Sequence, residues 1–176
     1  MTMVVSPKVG GSTAPKVSPP PDPVLLAAII DLNACYAAAL DDGPLDAWPD
    51  FFVEDCIYRL QPRENFDRGL PLATLAFESR GMLMDRVYSV KETLFHDPYY
   101  QRHVVSLPQI RSAGAEGIRC TTNYVVIRTR HNELSMVYNA GRYLDWIVDT
   151  GDGLKFRERI AVFDSELIPN SLIYPI

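Results

Sequence analysis

Apolar residues recur from position 25 at steps of four, three, four and four: Leu25, Ile29, Leu32, Tyr36 and Leu40. That spacing places them on one helical face. Asp22 stands where an N-cap belongs, Pro23 takes the first helical position, and Asp42-Gly43 ends the run. A short second helix is expected over 44–51, turning Leu45, Trp48 and Phe51 or Phe52 inward. The segment 52–60, "FVEDCIYRL", reads as a first strand, and polar residues 61–69 as a loop. "LPLATLAF" (70–77) fits a short strand or the entry to a helix. A helix is expected over 79–93, with Met82, Arg86 and Ser89 or Val90 on one side and Leu83 and Val87 widening the apolar stripe.

Beyond Asp97-Pro98 the pattern changes to strands. Segments 102–112, 117–130, 134–149 and 154–165 are rich in Val, Ile, Thr and Tyr, with turn residues at 114–117, 131–133 and 151–153. Long strands joined by short turns predict an antiparallel meander, and Gly141 inside a strand marks a bulge or bend. Helices first and a long bent sheet afterwards make an α+β layout. This order resembles the cone-shaped, NTF2-like (cystatin-like) fold shared by nuclear transport factor 2, ketosteroid isomerase and scytalone dehydratase. That fold hosts enzymes, binders and assembly subunits, so it leaves function open.

The last strand poses a specific question. In "LKFRERIAVFDS", strict alternation puts Leu154, Phe156, Glu158, Ile160 and Val162 on one face, and Lys155, Arg157, Arg159, Ala161 and Phe163 on the other. Glu158 then sits on an apolar face. It is either an acid in a pocket or a carboxylate paired with an arginine. Arg102, Arg128 and Arg142 on neighbouring strands are the expected partners, and a carboxylate held that way is a poor proton shuttle.

Composition narrows the choices. The chain of 176 residues, 47% hydrophobic and 22% charged, fits one soluble domain. Its net charge of −5 argues against nucleic acid or an anionic membrane as partner. Three scattered cysteines, Cys35, Cys56 and Cys120, form no disulfide framework or zinc motif and point to a reduced, cytoplasmic setting. No apolar run is long enough to span a membrane. Residues 1–21, rich in Pro, Gly and Ser and free of carboxylates, are expected to be a disordered arm before a single domain over 22–176. The closing "IPNSLIYPI" is apolar and must dock, on its own sheet or on a neighbour.

There are three histidines. His96-Asp97 with His103 invites a two-His-one-carboxylate iron site, but adjacent residues of an extended segment point apart. An acid–base site in the cone would draw on His103, Tyr58, Tyr36 or Glu158. No glycine-rich phosphate loop, nucleophile elbow or Cys/His iron–sulfur pattern is present.

Several stretches carry a resemblance: "MLMDRV" (82–87), "RHVVS" (102–106) and "GLKFRERIAVFDS". From about Leu25 to Ile176 the chain resembles the small (β) subunit of aromatic-ring-hydroxylating oxygenases. "YRLQPRENFDRGLPL", "DRVYSVKET", "HDPYYQRHVV" and "IPNSLIYPI" are similar, more narrowly, to the small subunit of salicylate 5-hydroxylase; anthranilate and terephthalate enzymes are more distant. The resemblance implies a structural, non-catalytic subunit with no cofactor of its own. The Rieske [2Fe–2S] cluster and mononuclear non-haem iron would sit in the large (α) subunit of an α3β3 hexamer, fed from NADH by a reductase and a ferredoxin. Arg86, Arg102, His103 and Arg159 fall in the matching motifs and read as contacts within the subunit or to its partner. Glu158 joins them as an interface ion-pair candidate. The alternative is an independent isomerase or dehydratase using His103, Tyr58 and Glu158. The proline-rich arm departs from the family's usual start.

Overall fold

The computed structural model describes residues 21–165 and 172–176. The arm expected over 1–21 therefore lies outside the described residues, apart from Pro21. Helix α1 spans Pro23–Asp41, and the Asp22 carboxylate caps it by accepting from the Val24 N–H at 3.0 Å. Ile29, Leu32, Tyr36 and Leu40 are buried, as their spacing requires. By length and composition α1 is long and apolar enough to cross a membrane, a point the expectation of no spanning segment overlooked. Here one face of it packs into the core.

A 3₁₀ turn, Leu45–Phe51, lowers Trp48 into the core and leads into β1, Phe52–Pro62. The polar stretch after β1 is not all loop: Arg63–Asp67 forms the short helix α2. The ambiguous 70–77 segment contributes only β2, Leu75–Phe77. Helix α3, Arg80–Tyr88, starts on Ser79, whose hydroxyl accepts from the Met82 N–H. It buries Leu83 and Val87, while Met82 faces out. The helix then widens over Ser89–Thr93, where the Leu94 N–H reaches back to the Ser89 carbonyl at 2.8 Å.

The strand expected over 102–112 is two strands, β3 (Tyr99–Val105) and β4 (Gln109–Gly114). Pro108 lies between them and has no N–H for a ladder. Strands β5 (Gly117–Arg130), β6 (Met136–Asp149) and β7 (Leu154–Phe163) form the expected meander. The sheet runs β2-β1-β7-β6-β5-β3, with β4 also on β5. It is antiparallel except at one seam, where β1 lies parallel to β7.

Register shifts decide which side chains face the core. Trp146 opposes Glu158 and Ile147 opposes Phe156, so Arg157 is an extra residue in β7. The bulge reverses the faces on either side of it. Phe156 points inward before it, and Arg159, Ala161 and Phe163 point inward after it. Strict alternation had grouped Phe156 with Glu158; the bulge turns Glu158 outward and makes Arg159 the buried charge. Gly141 sits at no register shift. Its missing side chain serves a close approach instead: a Cβ there would lie 2.0 Å from the Val162 carbonyl oxygen.

Two apolar clusters fill the cone. One joins α1 through Ile29, Leu32 and Tyr36 to Trp48, Phe52, Leu83 and Phe156. The other joins Tyr124, Val126, Tyr143 and Phe163 to Leu172 and Ile176. The described end of the closing segment, residues 172–176, thus docks on its own chain.

Candidate functional site

The interior of the cone is where this architecture can enclose a small molecule, so its polar groups define the candidate site. Arg159 is wholly buried there. Its Nε donates to Asp145 Oδ1 at 2.8 Å, and its Nη2 to Asp145 Oδ2 at 2.9 Å and Asn33 Oδ1 at 2.5 Å. Three elements meet in this fork: α1, β6 and β7. The guanidinium carbon also lies 3.8 Å from the centre of the Phe156 ring, 4.1 Å from Tyr143 and 4.3 Å from Tyr36. Burial alone would lower the pKa of Arg159, but the Asp145 carboxylate outweighs it and holds the guanidinium firmly charged. A cation fixed by a bidentate carboxylate, an amide and three aromatic faces has little freedom to follow a reaction.

Above this fork lies the closing segment. The Ile176 main-chain oxygen accepts from the Tyr36 and Tyr58 hydroxyls, each at 2.9 Å, and the Ile176 N–H donates to the Tyr58 oxygen at 2.9 Å. Trp48 Nε1 donates to the Tyr36 oxygen at 3.2 Å. Arg86 Nη2 grips the carbonyls of Leu172 and Ile173 at 3.0 and 2.6 Å. The two phenols expected to hold an oxyanion, Tyr36 and Tyr58, are therefore spent on the chain's own backbone, while the buried Tyr143 hydroxyl and Arg159 Nη1 have no hydrogen-bond partner among the described residues. Burial pushes the pKa of Tyr58 and Tyr143 well above the ordinary phenol range and that of Tyr36 upward, so all three are neutral donors. Burial and the nearby Asp145 charge push the Cys120 thiol up to about 12, which rules it out as a thiolate at neutral pH.

The other residues singled out by sequence lie apart from this cluster. The His103 Nδ1 lies 2.6 Å from Asp41 Oδ1, and its main-chain N–H donates to Asp41 Oδ2 at 2.8 Å. That pair ties β3 to the end of α1. Arg102 pairs with Asp42 at the same helix end and holds that carboxyl below its usual range. Glu158 faces outward, 3.0 Å from Arg119, which stacks on Trp146 at 4.0 Å. None of its three expected partners reaches it. Arg102 has Asp42, Arg142 lies 3.7 Å from Asp67, and Arg128 lies over the Tyr138 ring. His103, Tyr58 and Glu158 thus face three different surroundings and do not converge as an acid–base site would.

Asp145 and Asn33 were missed by sequence. The signal for Asp145 was available: Tyr143, Asp145 and Ile147 alternate in β6, which places a carboxylate on an apolar face by the same logic applied to Glu158. Asn33 lies one residue along the helix from Leu32, so its burial was legible only through the width of the buried face.

The described residues do not fit the iron groups that the family resemblance implies. His103 is engaged by Asp41 and His96 by the Tyr174 hydroxyl, and no group of three or more His, Cys, Asp or Glu is placed to hold a metal among the described residues. No chemical step is assigned through either group in this chain.

Comparison with known proteins gives this geometry a family. The SnoaL-like domain family matches residues 25–160. The chain is 37% identical to the anthranilate 1,2-dioxygenase small subunit of Burkholderia cepacia over 141 residues, covering 80% of this chain and 88% of that one. It is 32% identical to the terephthalate 1,2-dioxygenase terminal oxygenase component subunit beta 2 of a Comamonas species, covering 84% and 96%. A solved beta subunit assigned to an aromatic-ring-hydroxylating dioxygenase of Novosphingobium aromaticivorans superposes with a TM-score of 0.80 at 35% identity, covering 87% and 97%. The benzoate 1,2-dioxygenase beta subunit of Burkholderia mallei, at 20% identity, a TM-score of 0.67 and coverage of 79% and 90%, shares the fold. The chain belongs to the SnoaL-like family and, within it, to the small subunits of aromatic-ring-hydroxylating dioxygenases.

Proposed function

We propose that this chain is the non-catalytic small subunit of a salicylate 5-hydroxylase-like enzyme, acting in the cytoplasm. It stabilises a large subunit that carries the Rieske cluster and the non-haem iron, in an α3β3 assembly fed from NADH through a reductase and a ferredoxin. The complex would place one oxygen atom of O2 on the ring of salicylate to give gentisate, with the other leaving as water.

The observation that carries the non-catalytic role is the occupied cone. Ile176 sits on the Tyr36 and Tyr58 hydroxyls, and Arg159 is locked to Asp145 and Asn33. A catalytic pocket needs donors free to meet a substrate, and the Tyr36 and Tyr58 hydroxyls and the Arg159 Nε and Nη2 are already engaged internally. The substrate assignment rests on the narrower sequence resemblance, and the partner on what the relatives are: small subunits of ring-hydroxylating oxygenases.

Co-expression with the large subunit from the same genome tests the reading. The expected product is a large complex with an iron–sulfur visible spectrum that converts salicylate to gentisate. A colourless small oligomer that retains no partner overturns the subunit role. A coloured complex that oxidises anthranilate or terephthalate but not salicylate overturns the substrate alone.

A further inference from the structure

Among the described residues two arginines are deeply buried, and they are treated differently. Arg159 has its carboxylate. Arg128, at 4% exposure, forms no ion pair with a carboxylate among the described residues. Its guanidinium carbon lies 4.5 Å from the Tyr138 ring centre and 5.7 Å from that of Tyr99, and its Nη2 donates to the Met136 sulfur at 3.5 Å. Its Nε has no hydrogen-bond partner. Aromatic faces and a thioether offset only part of the cost of removing a guanidinium from water. That Nε is sealed from solvent, so the charge stays under-compensated inside the protein.

Arg128 lines a cleft of about 350 Å³ between β3, β5 and the closing segment, together with Phe95, His96, Asp97, Arg130 and Ile173. Arg130 brings a second unpaired Nε, and its one carboxylate neighbour, Glu133, is 3.8 Å away. Asp97 forms no ion pair with either arginine. The floor is held in place: Arg86 grips the Ile173 carbonyl, and His96 meets the Tyr174 hydroxyl at 3.1 Å. Two guanidinium groups that line one cleft without a close carboxylate partner among the described residues leave it a positive charge that suits a carboxylate.

The surroundings show what carries that carboxylate. Phe95, in the cleft wall, is fully exposed. A free acid would fill the cleft and leave the Phe95 ring in water. A protein surface would cover that ring while its acidic side chain entered beside the arginines, with aromatic and arginine groups at the centre of contact. Resting on the proposed subunit role, we infer that this cleft seats an Asp or Glu side chain of the large oxygenase subunit, with Phe95 as the apolar anchor in its wall.

The test uses the full chain co-expressed with its tagged large subunit, diluted and followed by sedimentation to give a dissociation constant. Phe95→Ser alters a fully exposed group and Arg130→Glu a mostly buried one, so each variant is compared only once circular dichroism and thermal midpoint match the native chain. Each should weaken the complex about 30-fold or more. Arg68→Glu, an exposed charge reversal outside the cleft, should change it less than about threefold. The affinity of the native complex should also fall with salt more steeply than that of Arg130→Glu. A native complex that forms while both cleft variants bind equally well overturns the cleft assignment and leaves the subunit role standing. A native chain that fails to bind overturns both. Benzoate serves as a free-acid probe: if it raises the thermal midpoint of the isolated native chain but not of Arg130→Glu, the cleft takes a free carboxylate and the protein-borne occupant is overturned.

Discussion

At the scale of single residues, the fork between Arg159 and Asp145 carries the largest stake. Both side chains are fully buried, so each charge depends on the other for the solvation it has lost. Arg159→Met leaves Asp145 as an unpaired buried carboxylate, and urea unfolding should show a loss of about 3–5 kcal/mol. Asp145→Leu should cost a similar amount for the mirror reason. Combining the two should recover much of the loss, because no stranded charge remains. Glu158→Gln removes a partner only from the exposed Arg119 and should cost less than about 1 kcal/mol. If the Glu158 variant proved the more damaging, the inward and outward assignments on β7 would be wrong.

At the scale of elements, the sheet is set by its irregularities. Gly141 lets β6 lie against the Val162 carbonyl, and Gly141→Ala should cost about 3 kcal/mol or more, seen as lost soluble yield and a lowered thermal midpoint. An alanine tolerated within about 1 kcal/mol would mean that the strands separate easily there. The same irregularities mark the limit of what the sequence could disclose. The strands were legible because Val, Ile, Thr and Tyr cluster between turn residues, and α1 because its cap, period and stop agree. The break at Pro108 was legible in principle, since proline cannot donate to the ladder. The bulge at Arg157 was not: an extra residue leaves the composition of "KFRERIA" unchanged and reverses only its faces. That reversal moved the buried charge from Glu158 to Arg159. Asp145 was within reach, because β6 alternates cleanly from Tyr143 to Ile147. Arg128 looked like a partner for Glu158 because pairing by sequence ignores which side of β5 a residue takes.

At the scale of the whole molecule, the buried phenols tie stability to pH. Burial raises the pKa of Tyr36, Tyr58, Tyr124 and Tyr143, so the folded chain keeps protons that the unfolded chain releases above about pH 10. Folding then binds the more protons, and stability falls as pH rises through that region. Alkaline titration should show tyrosinate absorbance appearing in a cooperative step that coincides with the loss of near-ultraviolet circular dichroism. A gradual rise in a chain that stays folded would mean that the cone admits hydroxide.

The parallel seam between β1 and β7 has a consequence for how the protein is made. β1 ends up against a strand that begins roughly a hundred residues later, so an early segment waits on a late one. At about 5–20 residues per second, that wait is about 5–20 s of synthesis, with the β1 edge and the apolar residues of α1 uncovered. Joining such distant segments also lengthens the search, because the loop between them must close before its contacts stabilise anything. The small subunit is therefore a natural client for chaperones on the ribosome. A partner that recognises its folded surface has nothing to bind until the last strand has emerged.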